Sequence, residues 1–264
     1  MKRILILCIG ICLHYVAGVV FGFGIEQANA QTNRFASYTE TANSLNLEMI
    51  AVQGGTFMMG CTAEQGDDCV DSEKPAHQVT VSDFYIGKYE VTQAQWKAVM
   101  GVGEDDNYPK CCVSWDEVQE FILKLNAQTG KQYRLPTEAE WEFAARGGSN
   151  RMGYKYSGSN TAGSAGWYKA NSDSLTHPVG LKLPNELGIH DMSGNVGEWC
   201  SDWYGLYNDA AQTNPQGPSS GSERVARGGA ESTDARYIRV SYRVKINPEL
   251  RGNDIGFRLA CSSR

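Results

Sequence analysis

Apolar positions in this chain fall in short runs whose spacing changes from stretch to stretch. Met49 to Met59 alternates apolar and polar residues, interrupted by Gly54 and Gly55. That period places one set of side chains on one face of a strand, and the glycine pair predicts a turn or bulge inside it. Val79 to Ile86 predicts a second strand. Three helix starts of one type follow. Thr92 with Gln95, Ser114 with Glu117 and Thr137 with Glu140 each fit the capping box. Helical spacing then buries Trp96, Val99 and Met100 in the first helix. It buries Val118, Phe121, Ile122 and Leu125 in the second, and Trp141, Ala144 and Ala145 in the third. Glu138, Glu140 and Glu142 open the third helix, where acids suit the helix dipole, and they read as structural.

Between these elements the pattern dissolves. Residues 147–166 carry six glycines among Ser, Asn and Tyr, which predicts an irregular region without regular secondary structure. It holds no G-K-[ST] phosphate loop. Residues 206–222 form a second polar loop with Pro215 and Pro218. Arg224 to Arg243 and Ile255 to Ala260 read as strands and turns that close the domain. There is no internal repeat and no second domain.

The N-terminus has a different character. Lys2 and Arg3 precede a mostly apolar run from Ile4 to Phe23, and Ala28-Asn29-Ala30 is a small-x-small cleavage site before Gln31. Residues 1–30 therefore read as a secretory signal. An uncleaved anchor is the alternative, weakened by His14, Tyr15 and several glycines in the run. Neither Cys8 nor Cys12 follows a convincing lipobox. Residues 31–47, rich in Ser, Thr and Asn, read as a flexible lead, and residues 48–262 as the folded domain. The localisation expected is secreted, periplasmic or at the cell surface, with no membrane span in the mature chain.

The chain has 264 residues, 41% of them hydrophobic, enough for one sizeable core. A net charge of −6 without a Lys/Arg cluster gives no basis for a nucleic-acid partner. Past residue 30 the cysteines are Cys61, Cys69, Cys111, Cys112, Cys200 and Cys261. An exported chain permits disulfides. Cys61 and Cys69 flank a short polar loop and are the first pair expected; Cys200 with Cys261 is the second, and Cys111 and Cys112 stay unassigned. His77, His177 and His190 are scattered and read as structural or surface residues. No zinc spacing is present.

One stretch concentrates chemistry. Residues 187–205 read LGIHDMSGNVGEWCSDWYG, with Asp191 and Glu198 flanking a glycine-bearing turn. Such a turn aims carboxylates and backbone carbonyls at one hard cation, and calcium takes six to eight oxygens of that kind. The plainer reading is a turn with solvated acids leading into Trp199, Trp203 and Tyr204 as a buried aromatic segment.

LGIHDMSGNVGEW resembles the signature of the formylglycine-generating enzyme, or sulfatase-modifying factor, family. GGTFMMG, FYIGKYEVTQAQW, VSWDEVQEF, YRLPTEAEWEFAARGG, RVARGGA and GFRLA resemble further family motifs, in the family's order, over about residues 48–262. The resemblance implies an irregular, loop-rich α+β single domain related to the C-type lectin fold. It also implies calcium held by the side chains of Asp191 and Glu198 and the carbonyls of Gly194 and Val196.

The same resemblance locates what is missing. In the family, two cysteines five and ten positions past the first glycine of R-G-G-S hold copper(I), and with oxygen they oxidise a substrate cysteine to formylglycine. Soft thiolates suit that metal. Here the motif is Arg227-Gly228-Gly229-Ala230, and the two positions hold Thr233 and Ile238. No catalytic residue is assigned, and copper is not expected. Gly197 stands where the signature has tryptophan, and Glu231 where many bacterial relatives have an aromatic, which implies an opened or reshaped pocket floor.

Three functions are consistent with this pattern. The first is a secreted, non-catalytic binding or scaffold module stabilised by calcium, with a glycan, a peptide or an envelope protein as partner. Trp167, Tyr168, Tyr204 and Tyr207 are its candidate contact residues. The second is a formylglycine-generating oxidase with a rebuilt site. The third is a structural component of a cell-surface assembly.

Overall fold

The computed structural model describes residues 35–104 and 106–263. The segment read as a signal lies outside the described residues. In chain order the strands are β1 (Tyr38–Glu40), β2 (Leu47–Val52), β3 (Gly55–Met59), β4 (His77–Val81) and β5 (Phe84–Gly87). Helices α1 (Gln93–Met100) and α2 (Trp115–Thr129), strand β6 (Tyr133–Arg134), and helices α3 (Glu138–Ala145) and α4 (Ala162–Ala165) follow. The chain closes with β7 (Gly197–Trp203), β8 (Gln212–Thr213), β9 (Arg224–Arg227), β10 (Arg243–Ile246), β11 (Ile255–Gly256) and β12 (Ala260–Ser262).

Among the described residues these strands form a five-stranded sheet, β1-β2-β5-β12-β6, a four-stranded sheet, β10-β9-β7-β11, and a three-stranded sheet, β3-β4-β8. The expected strand over 49–59 is two strands in two sheets, and so is the one over 79–86. Both hairpin arms cross from one sheet to the other at the same place, where the Gly54 N–H donates to Asp83 Oδ1 at 2.8 Å. The lead is also not loose throughout: Tyr38 pairs with Met49, so the sheet begins inside the stretch read as flexible. The polar loop over 206–222 contributes β8, parallel to β4, and the glycine-rich region contains the short α4.

All three capping boxes form, with Thr92, Ser114 and Thr137 accepting from the N–H groups of Gln95, Glu117 and Glu140. Helix α2 turns Val118, Phe121, Ile122 and Leu125 inward, where Phe121 stacks on Trp96 and meets Phe257 edge-on. In α1, Trp96 and Val99 are buried and Met100 is half-buried. Helix α3 is buried nearly all round, in a second apolar cluster with Phe57, Phe84, Met192 and Val225.

Full burial of α3 changes the meaning of its glutamates. Glu138 takes a two-pronged ion pair from Arg243, 2.7 Å on each oxygen, and the Tyr207 hydroxyl. Glu142 pairs with Arg227 and Arg146, and Glu140 with Arg134. Glu138 and Glu142 neutralise buried arginines and Glu140 a half-buried one, beyond suiting a helix dipole. Burial opposes ionisation of Glu138, but Arg243 and Arg227 outweigh it and hold that carboxyl below its ordinary value.

Cys61 and Cys69 form a disulfide. Cys200 and Cys261 do not pair. Cys200 is buried in the cluster around α3, whereas Cys261 packs against the other cluster, between the five-stranded sheet and α1 and α2.

Candidate functional site

Two pairings assemble the site around β7. Strand β11 runs parallel to it, matching Gly256 with Glu198, and this delivers Arg258. Strand β9 runs antiparallel, matching Arg227 with Glu198, and delivers the loop from Gly228 onward. The turn entering β7 has left-handed backbone at Asp191, Gly194 and Asn195, with φ of 58°, 81° and 62°. Gly194 is required twice over, since a Cβ there would also lie 2.0 Å from the Trp167 carbonyl oxygen.

Glu198 and Arg258 are both fully buried. Arg258 Nη2 donates to Glu198 Oε1 and Nε to Oε2, each at 2.6 Å, and the Trp141 indole donates to Oε2 at 2.7 Å. Arg258 also donates to the carbonyls of Gly87 and His190 at 3.0 Å. Glu90 lies close by. Its oxygens accept from the Asn195 side chain at 2.7 Å and the Val196 N–H at 3.1 Å. Asp191 Oδ2 accepts from the Gly180 N–H at 2.7 Å, while its buried Oδ1 has no hydrogen-bond partner.

Three buried carboxyls thus share one guanidinium. Burial pushes Glu90 well above its ordinary value, and Asp191 and Glu198 add to it. Burial also raises Asp191, against the Gly180 N–H and Arg258. Among the described residues, no three His, Cys, Asp or Glu side chains converge as a metal-holding group. The donor set expected from the resemblance is different in kind: two side chains and two carbonyls. It fits a hard cation in two respects. Asp191 Oδ1 is unpartnered, and a carboxylate offers about four acceptor positions, of which the three donors on Glu198 leave one.

The positions of the missing cysteines have other occupations. The Thr233 hydroxyl donates to the Ala230 carbonyl at 2.8 Å and accepts from the Ala230 N–H at 3.2 Å. Ile238 is fully buried with Tyr156 and Ala165 in a small apolar cluster. Gly197 lies against Ile255: a Cβ there would be 2.8 Å from Ile255 Cδ1. Glu231 is buried, its N–H donating to the Asn195 carbonyl at 3.0 Å and its Oε2 without a partner. Burial raises its carboxyl, and Asp254 adds to the effect.

The candidate aromatics are engaged internally. Trp167 lies between the His177 ring and the Lys182 ammonium, each 3.7 Å away. Tyr168 packs against the Ile238 cluster. Arg243 stacks on Tyr204 and Tyr207, and His77 meets Tyr207 edge-on. The three histidines are structural, with ring nitrogens on the carbonyls of Pro75, Ser172 and Lys182.

Two cavities were not foreseen from the sequence. One, of about 360 Å³, is lined by Glu138, Asp202, Trp203, Tyr207, Gln216 and Arg243 among others. The second, of about 510 Å³, includes Asp83, Arg134, Glu140, Ser201 and Asn214, and shares Gln216 with the first. Glu138, Glu140, Trp203 and Tyr207 were noted in the sequence for other reasons, and Asp202 only as part of the 187–205 stretch.

The sheets, the loop entering β7 and the R-G-G-A turn beside it define a class. The chain matches the family described as "Sulfatase-modifying factor enzyme 1-like domain" over residues 34–263, and it belongs to that family. Among its relatives, "Chaperone protein LppX" of Paenibacillus barcinonensis is 31% identical over 86% of this chain and 94% of its own. "Formylglycine-generating enzyme" of Mus musculus is 29% identical over 81% of this chain and 74% of its own. The solved structure "Treponema denticola variable protein 1" superimposes with a TM-score of 0.78 at 32% identity, covering 86% of this chain and 99% of that one. The fold is the loop-rich α+β fold of the formylglycine-generating enzyme type, which is C-type lectin-like.

Proposed function

We propose that this chain is an exported, non-catalytic member of the family, acting as a calcium-stabilised binding or scaffold module. The observation that carries the reading is the fate of the two cysteine positions. Thr233 closes a turn on Ala230, and Ile238 seals an apolar cluster. A hydroxyl and a butyl group supply no thiolate for copper(I). A relative named as a chaperone supports a protein or peptide as the ligand. Export rests on the signal read over residues 1–30; no helix among the described residues is long and apolar enough to cross a membrane.

Calcium would be held by Asp191, Glu198 and the carbonyls of Gly194 and Val196. It would offset the excess of buried carboxyls over guanidinium. Binding to the folded state alone adds stability, about 2.7 kcal/mol at a hundredfold excess over Kd. Thermal unfolding of the chain from Gln31 should shift upward with added calcium and downward with chelator. In Asp191→Asn the response should shrink or vanish. A melting temperature indifferent to chelator and calcium would remove the cation from the proposal. The non-catalytic part is tested separately, by turnover of a cysteine-containing sulfatase-type peptide, with none expected.

A further inference from the structure

Cys111 and Cys112 are neighbours in sequence and are both free thiols. Their sulfurs lie 3.4 Å apart. In an extended segment, successive side chains point to opposite sides, which would separate the two sulfurs. Here Cys112 has φ of 61°, and this left-handed backbone returns its side chain toward Cys111. For a residue other than glycine such a conformation is unfavourable, because Cβ crowds the backbone.

The turn is braced on both sides. The Lys110 N–H donates to the Val91 carbonyl at 2.7 Å, and the Trp115 N–H to the Pro248 carbonyl at 2.9 Å. The Val113 carbonyl accepts from the buried Trp199 indole at 3.0 Å. The sulfurs are therefore held together by fixed backbone. Cys112 is exposed and Cys111 half-buried, so a reagent in solution meets Cys112 first. Among the described residues, the other free thiols are poorly placed to compete. Cys200 is fully buried, and Cys261 belongs to β12, packed against the core.

We propose that Cys111 and Cys112 are a redox modification site, a vicinal dithiol that closes into a disulfide by exchange with a small-molecule disulfide. The Cys112 thiolate attacks one sulfur of the reagent, forming a mixed disulfide and releasing one thiolate. Cys111 loses its proton to solvent and attacks the Cys112 sulfur, and the second reagent thiolate leaves. Two protein thiols and one disulfide become one protein disulfide and two small thiols. The protein is oxidised by two electrons and the reagent reduced by the same two. Burial, followed by the neighbouring Cys112, raises the Cys111 thiol to about 12, which fits its role as the second rather than the first nucleophile. A disulfide in so small a ring is strained and readily reduced, a property of regulatory rather than structural bridges.

The experiment exposes the full chain to a series of reduced and oxidised glutathione mixtures, quenches with acid, alkylates, and reads the peptide spanning both cysteines by mass spectrometry. The expected product has lost two hydrogens, carries neither glutathione nor alkyl group, and reverts under dithiothreitol. In Cys111→Ser, Cys112 should instead accumulate as the glutathione mixed disulfide, because no second thiol resolves it. Wild-type peptide in which both cysteines stay alkylatable at every ratio, or carry glutathione separately, would overturn the proposal. So would oxidation products that join two chains or link either cysteine to any other cysteine of the chain.

Discussion

Asp202 forms part of the wall of the 360 Å³ cavity, with Oδ2 accepting from the Glu138 N–H and the Ser201 hydroxyl. Burial and then Glu138 push its carboxyl up from 3.8 to about 7. A carboxyl raised on folding favours the folded state while it is protonated. That contribution is complete below 3.8 and is lost as pH rises through about 7. Above the window, the wild type holds an ionised carboxylate beside Glu138. Asp202→Asn cannot ionise there. On raising pH from 4 to 8, wild type should lose on the order of a few kcal/mol relative to the variant. Urea unfolding at stepped pH measures it, and parallel profiles for the two proteins would contradict the assignment. Asp202 was not singled out from sequence because its burial depends on a distant loop, including Gln216 and Pro218, closing over it. Thr233 and Ile238 were identifiable, since the glycines of the R-G-G-A turn fix their positions by counting.

At the scale of elements, the turn that follows the Cys61–Cys69 loop and the turn before β10 are tied by a buried ion pair. Glu73 accepts from Arg239 at 2.6 and 2.8 Å, and both side chains are fully buried. Ser241 also donates to Glu73. Glu73→Gln leaves a buried guanidinium without its counter-charge, which costs about 3–5 kcal/mol. Equilibrium unfolding should register that loss, and a change under about 1 kcal/mol, the range of an exposed pair, would show that the pair is solvated. The capping boxes were legible because each is closed within four residues, and the short polar loop between Cys61 and Cys69 made that disulfide legible. The Glu73–Arg239 pair spans 166 residues and has no local signature. Alternation within 49–59 and 79–86 showed which side chains share a face, but it does not say where a chain leaves one sheet for another.

For the whole molecule, family membership and fold are established, and the framework that brings β7, β9 and β11 together is intact. Among the family's motifs, the departures read from the sequence are at Thr233, Ile238, Ala230, Glu231 and Gly197. Ile238 is buried in an apolar cluster, Ile255 packs against Gly197, and the Thr233 hydroxyl is spent on Ala230. The most direct test incubates the chain from Gln31 with copper(I), oxygen and a peptide containing cysteine, proline and arginine in the sulfatase manner. An active formylglycine-generating enzyme runs beside it, and the peptide cysteine is read by mass spectrometry. Unchanged cysteine is expected with this chain and aldehyde with the control. Aldehyde formed by this chain, and lost when one of its six cysteines past residue 30 is replaced, would contradict the account and identify a rebuilt catalytic site.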